Sequence, residues 1–335
     1  MKFRIFLVCL IMLAAAFERA IAWGADGHQL VGSIADKLLK PHAKKHVAQI
    51  LGFTLRVAAP WPDCVRSVKR KTDGSFKYVS DPRFNAPCKS FEKKRGEIKR
   101  MENYVSRNWS NCPAKPGHGC HESYHFADVE IQQDTYDRHF TGTNEHDIVS
   151  AIDAAILVLQ GQPAPAPFSI RDKKEALFLL AHFVGDIHQP LHVGSVYLDP
   201  DGKLVDPDNH GPLVEATETA GGNFIAVKST NLHSEWDDIP DILGNTAKKT
   251  MVTKAKAVPP TTGEAGSFAA TWASDTIVQS HAAFSGVTFS GDAHGHWVAN
   301  FAVPRGYSTA MARLKIGQLA KGGARLAQLL NTIWP

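Results

Sequence analysis

Beyond its first sixteen residues the chain has no apolar run long enough to cross a bilayer, no Ser/Gly-rich or Pro-rich linker, no low-complexity tract and no clear internal repeat. The absence of a linker leaves no place to divide the chain, so one domain is expected. Charge of one sign is also missing in bulk: 37 basic residues face 33 acidic ones, a net of +4. That balance lacks the electrostatic footprint of a stable duplex binder. The local run Arg66, Lys69, Arg70 and Lys71 reads as a solvated face. What remains, 44% hydrophobic and 21% charged over 335 residues, is the profile of an ordinary globular protein able to build its own core.

Cysteine is scarce, at five residues, and its placement is informative. Met1-Lys2-Phe3-Arg4 is basic, an apolar run follows from Ile5 to Ala16, and Ala20-Ile21-Ala22 has the small-x-small form of a cleavage site. A secretory signal over 1–22 is therefore expected, with the mature chain over 23–335 and a secreted or periplasmic location. Cys9 leaves with that leader. An even set remains, Cys64, Cys88, Cys112 and Cys120, from which two disulfides are expected in any of three pairings. Their crowding suggests an irregular, loop-rich insert, stapled between about residues 70 and 120. Elsewhere Leu, Ile, Val, Ala and Phe recur at spacings of three and four over 29–50, 146–160, 172–188, 267–284 and 306–333. Alternation is rare, so the fold class is mainly α, with a short hairpin near 203–226.

The abundant chemical residue is histidine, sixteen in all. His182 and Asp186 lie four apart and share one helix face, where both can reach one cation. His188 is turned about 200° from Asp186 and should not join them. Pro190 should end the helix, which lets His192 swing back from the following loop. His233 and Asp237 repeat the same spacing. One such pair is more often a surface ion pair, but two pairs plus His192 exceed the needs of a single tetrahedral zinc. His42 and His46, set among Lys44 and Lys45, read as solvated, because a cation there would be repelled. Asp292, His294 and His296 read as loop polarity. In an oxidising compartment the cysteines are not expected as ligands, and the remaining N and O donors favour zinc.

With those residues in view, the chain resembles the zinc-dependent S1/P1 nucleases, which share an architecture with bacterial zinc-dependent phospholipase C. The carriers are Trp23-Gly24-Ala25-Asp26-Gly27-His28, Trp61-Pro62-Asp63-Cys64-Val65-Arg66, Tyr124-His125-Phe126-Ala127-Asp128, the segment 182–192, Gly221-Gly222-Asn223, and 231–237. The resemblance implies a multi-helix phospholipase C/P1 nuclease-like fold and three Zn2+ per chain. One zinc would take Asp63, His125, His182 and Asp186. Its neighbour would take His28, a bridging Asp186 oxygen, and the amine and carbonyl of a terminal Trp23. The third would take His192, His233 and Asp237.

The implied reaction is in-line attack of hydroxide on a phosphodiester, with Asp63 orienting the nucleophile, Arg66 spreading charge from phosphorus, and 5′-phosphorylated products. Phe126 resembles a platform for a base and Asp128 the partner of its edge; Asn223 is a weaker candidate for a substrate contact and equally reads as a turn. Stacking on an aromatic needs a base free of its own duplex, so single-stranded DNA and RNA, with 3′-nucleotides, are the expected substrates. No stable protein partner is implied, and a monomer is expected. Two other readings stand beside this one. A zinc-dependent phospholipase C would use a similar cluster, although Asp237 is shorter than the glutamate associated with that branch. A non-catalytic exported zinc-binding protein would need no Arg66. Asn108-Trp109-Ser110 is formally a glycosylation sequon.

Overall fold

The computed structural model describes residues 23–82, 85–114, 117–209, 218–291 and 296–335. The expected signal over 1–22 lies outside the described residues, as do Asp292 and His294. The first helical pattern, expected as one run over 29–50, is two helices: α1 (Ala25–Leu38) and α2 (Pro41–Leu51). Pro41 explains the break, since it disfavours helical backbone at the residue before it, and Lys40 is extended at ψ 157°. Two short helices follow, α3 (Leu55–Ala58) and α4 (Trp61–Val65).

The region expected as an irregular insert is instead largely regular. Strands β1 (Val68–Arg70) and β2 (Phe76–Tyr78) form an antiparallel ribbon, followed by helices α5 (Asn85–Glu92) and α6 (Arg95–Arg107). In α6 the residues Glu97, Met101, Tyr104 and Val105 are buried, a helical spacing overlooked among its many charges. The staples are present as Cys64–Cys88 and Cys112–Cys120. The formal sequon is out of reach: Asn108 is fully buried, and its side-chain amide donates to Tyr104 O and Ser169 O, which leaves no room for a glycan.

A 3₁₀ turn (Cys120–His125) and strand β3 (Val129–Glu130) lead to helices α7 (Ile148–Leu159) and α8 (Lys173–Asp186). From Glu175 to Asp186 every residue of α8 is buried, among α1, α2, α3, α4, α7 and α12. The start of α8 is fixed by Asp172, whose carboxylate accepts from the backbone of Lys174 and Glu175. Buried Glu175 receives Arg107 from α6 at 2.6 Å, which ties the stapled region to this central helix. Strand β4 (Gly194–Ser195) pairs with β3 in parallel.

The hairpin expected near 203–226 is found slightly later, between β5 (Ile225–Val227) and β6 (Thr230–Asn231); residues 210–217 lie outside the described residues. Then come α9 (Leu232–Asp237), α10 (Lys249–Lys256), α11 (Phe268–Phe284), the hairpin β7 (Val287–Gly291) with β8 (Trp297–Phe301), and α12 (Pro304–Ile333). The sheet order β6-β5-β8-β7 and the core beneath it support one flank of the site, and the α1/α7/α8/α12 core supports the other. His42 is exposed as expected, but His46 is not merely solvated: its ring stacks on Trp334 at 5.3 Å, and His42 Nδ1 donates to Pro335 O at 2.8 Å. No described helix is long and apolar enough to cross a membrane.

Candidate metal centre

Two helices of the same design carry the core of the site. On α8 the i,i+4 spacing brings His182 Nε2 to 3.1 Å from Asp186 Oδ2, and on α9 it brings His233 Nε2 to 3.7 Å from Asp237 Oδ1. The chain leaves α8 at Asp186, turns through 187–189, and forms a 3₁₀ turn over Pro190–His192 that returns His192 toward α9. His188 points elsewhere: its Nδ1 donates to Val184 O and its Nε2 accepts from Arg325.

Around Asp186 the structure gathers His125, His28 and Asp63. His125 Nδ1 lies 3.0 Å from Asp186 Oδ2 and 3.1 Å from His182 Nε2. His28 Nε2 lies 3.1 Å from Asp186 Oδ1, and its ring stacks on His182 with centroids 3.6 Å apart. Gly185 permits that approach, because a Cβ there would meet His28 Nδ1 at 2.9 Å. Asp63, on α4, reaches within 3.9 Å of His182. Trp23 is fully buried beside this group, its indole donating to Gly185 O at 2.8 Å.

Three buried sets result among the described residues, each with ligand atoms close enough to hold one ion: His28, Asp63 and His182; His125, His182 and Asp186; and His192, His233 and Asp237.

The third set gives the sharpest test of whether a cation fits. His192 Nδ1 lies 2.7 Å from His125 O and His233 Nδ1 lies 2.8 Å from Gly221 O. A carbonyl only accepts, so both Nδ1 atoms carry the proton and both Nε2 atoms carry a lone pair. Those lone pairs face one another at 3.0 Å. Burial pushes His192 down to about 4 and His233 down to about 3, so at neutral pH no proton stands between them. Two bare acceptors at this distance repel; a divalent cation in front of both, with Asp237, removes the repulsion. Gly221 makes this geometry possible, since a Cβ at its φ of 57° would strike Leu191 O at 2.2 Å.

The carboxylates agree. Both oxygens of Asp63 and Oδ2 of Asp237 are buried without a hydrogen-bond partner among the described residues. Burial raises Asp237 well above the ordinary carboxylate range. Burial also works against charge on Asp186, but the facing imidazoles of His182 and His28 outweigh it and hold that group well below the range. Bound cations would favour ionisation at all three.

Other expected site residues lie around this centre. Arg66 ends α4, with its backbone N–H donating to Asp63 O, and its charge reaches both His121 and His233. Phe126 follows the 3₁₀ turn on extended backbone and is 37% exposed, which a core aromatic would not be. Asp128 is buried two residues on, its backbone O accepting from Tyr197. Asn223 donates to Ala220 O inside its own turn, so the contacts drawn from it are those of a turn.

Two supporting residues escaped the sequence. Fully buried Gln189 donates to Asp237 Oδ1 at 2.7 Å and accepts from Leu191 N–H at 2.6 Å. Lys315 of α12 places its ammonium on Glu235 O and Asp238 O, each at 2.5 Å, clamping the end of α9. Gln189 stands between two candidate ligands, a signal that was available; Lys315 lies far along the chain and gave none.

Comparison with known proteins points to nucleases. The family model described as S1/P1 Nuclease matches residues 23–112 and 114–335. Among curated proteins, Endonuclease 5 of Arabidopsis thaliana is 23% identical over 70% of this chain and 62% of its own length. Endonuclease 4 and Endonuclease 1 of the same plant are 24% and 25% identical, over 68% and 70% of this chain and 58% and 59% of theirs. The chain thus spans about three fifths of the length of these relatives.

Proposed function

The chain belongs to the S1/P1 nuclease family, and from that premise we propose that it is an exported, monomeric, zinc-dependent nuclease that hydrolyses single-stranded DNA and RNA to 5′-phosphorylated products and also acts on 3′-nucleotides. The observation that carries the reading is the pair of unprotonated imidazole nitrogens, 3.0 Å apart on His192 and His233, beside an unpaired oxygen of Asp237. Zinc is assigned to Asp63, His125, His182 and Asp186; to His28, Asp186 and the amine and carbonyl of Trp23; and to His192, His233 and Asp237. When bound, zinc supplies Lewis-acid charge and makes water acidic enough to ionise near neutral pH.

The chain's own groups supply the rest. Asp63, with a carboxylate oxygen to spare, orients the attacking oxygen. Arg66, held beside Asp63 by the turn of α4, donates to the phosphoryl oxygens as charge builds on them. Phe126 offers an open ring face on which an unpaired base stacks, worth about 1–3 kcal/mol, and Asp128 accepts from the edge of that base. The two disulfides suit an oxidising compartment. The test is an assay of the purified chain beginning at Trp23 against single-stranded DNA, RNA, 3′-nucleotides and phosphatidylcholine, with and without chelator. Chelator-sensitive cleavage of the first three supports the proposal. Cleavage of phosphatidylcholine alone replaces it with a phospholipase, and no hydrolysis at all replaces it with a zinc carrier.

A further inference from the structure

The charge of this protein is unevenly placed. Residues 66–107 hold thirteen Lys and Arg against five Asp and Glu, a net of +8, whereas the whole chain is +4, so the remainder is net negative. Within this segment the β1–β2 ribbon begins two residues after Arg66. Its register sets Lys69 directly opposite Lys77, with Arg70 opposite Phe76. Like charges facing across a two-stranded ribbon repel, and a segment chosen only for stability would not place them there.

The ribbon is held by other means. Val79 N–H donates to Ser67 O, the ring of Phe76 packs on Trp109 at 5.2 Å, and the guanidinium of Arg70 lies 5.8 Å over the same indole. The Cys64–Cys88 bond fixes its base one residue after Asp63. Lys69, Arg70, Lys71 and Lys77 are exposed. The acidic groups nearby offset only part of this charge: Asp73, in the turn beside Lys71, accepts from Ser75, and Glu102 receives the backbone of Tyr78 while pairing with Lys77, whose side chain is still 65% open. Lys69 folds back so that its ammonium donates to Arg66 O at 3.1 Å, which joins the ribbon's charge to the residue assigned to phosphate.

We propose that the β1–β2 ribbon is a second anchoring site, outside the reaction centre, for the sugar-phosphate backbone of a single-stranded polynucleotide. It rests on the nuclease reading above and extends it by assigning a polymer rather than a mononucleotide as the substrate the surface is built for. At about 3.3 Å per strand residue, Lys71 follows Val68 by roughly 10 Å of extended chain, outside the helix that bears Asp63 and Arg66. A polyanion laid across Lys69, Lys71 and Lys77 relieves their mutual repulsion, and counterions released from its phosphates drive the contact.

The test compares zinc-loaded wild type with a Lys71→Gln/Lys77→Gln double variant, on a dinucleotide and on a strand of about 30 nucleotides, across a salt series. For the long strand kcat/KM should fall about tenfold, and its dependence on log salt should flatten by about 1.4, at about 0.7 for each lost phosphate contact. Dinucleotide cleavage should be unchanged. A wild type that cleaves both substrates while the double variant matches it, or loses equally on both, overturns the ribbon's role alone. A wild type that cleaves neither substrate overturns the nuclease reading, and the anchoring site falls with it.

Discussion

At the residue scale, the account depends on which atom of each imidazole is left to bind. Backbone carbonyls at Ala59, His125 and Gly221 each take a ring proton, from His182, His192 and His233 in turn, and so aim His182 Nε2 at Asp186 and the Nε2 atoms of His192 and His233 at one another. Gln189 performs the matching task for a carboxylate by donating to Asp237. Replacing it with leucine removes that donor in a fully buried setting and should weaken the His192/His233/Asp237 site by about 10–100-fold. Metal analysis after dialysis should then find about one zinc fewer per chain, with the others retained; an unchanged zinc content would show that Gln189 does not position Asp237.

At the scale of elements, the site is made by joining pieces distant in sequence. Helix α8 supplies His182 and Asp186, the 3₁₀ turns supply His125 and His192, and α9 supplies His233 and Asp237. Helix α12 braces two of these from behind, through Lys315 on the end of α9 and through Gln318 and Arg325 on His188. The Cys64–Cys88 bond closes 24 residues beside Asp63, a loop whose closure is worth about 3 kcal/mol. Replacing both cysteines with alanine should lower Tm by about 4–6 °C in a thermal melt; an unchanged Tm would show that the ribbon and α5 hold their place without it. The sequence made the i,i+4 pairs legible because helical period alone brings them together, and it made the return of His192 legible because Pro190 cannot continue a helix. It did not reveal which cysteines pair, nor the braces on α12, because both depend on contacts made only after folding. The helices α5 and α6 were hidden by dense charge, and the stacking of His46 on Trp334 joins opposite ends of the described chain.

At the scale of the whole molecule, the unpartnered carboxylate oxygens of Asp63 and Asp237 beside the neutral imidazoles of His192 and His233 make an unstable core without cations, since each buried charge lacking a partner among the described residues costs several kcal/mol. Folding and metal binding are therefore expected to be coupled, and chelator should lower Tm as well as activity. If the amine of Trp23 is a ligand, a chain with residues 1–22 attached offers an amide nitrogen there instead. Zinc content and nuclease activity of the extended form should both fall below those of a chain starting at Trp23, and equal values would remove Trp23 from the ligand set. The most direct measurement of the central claim is anomalous diffraction at the zinc edge from crystals of the chain starting at Trp23. The account predicts three peaks, two within the group His28, Asp63, His125, His182 and Asp186 and one among His192, His233 and Asp237. Crystals of active protein with no zinc signal between these side chains would contradict it.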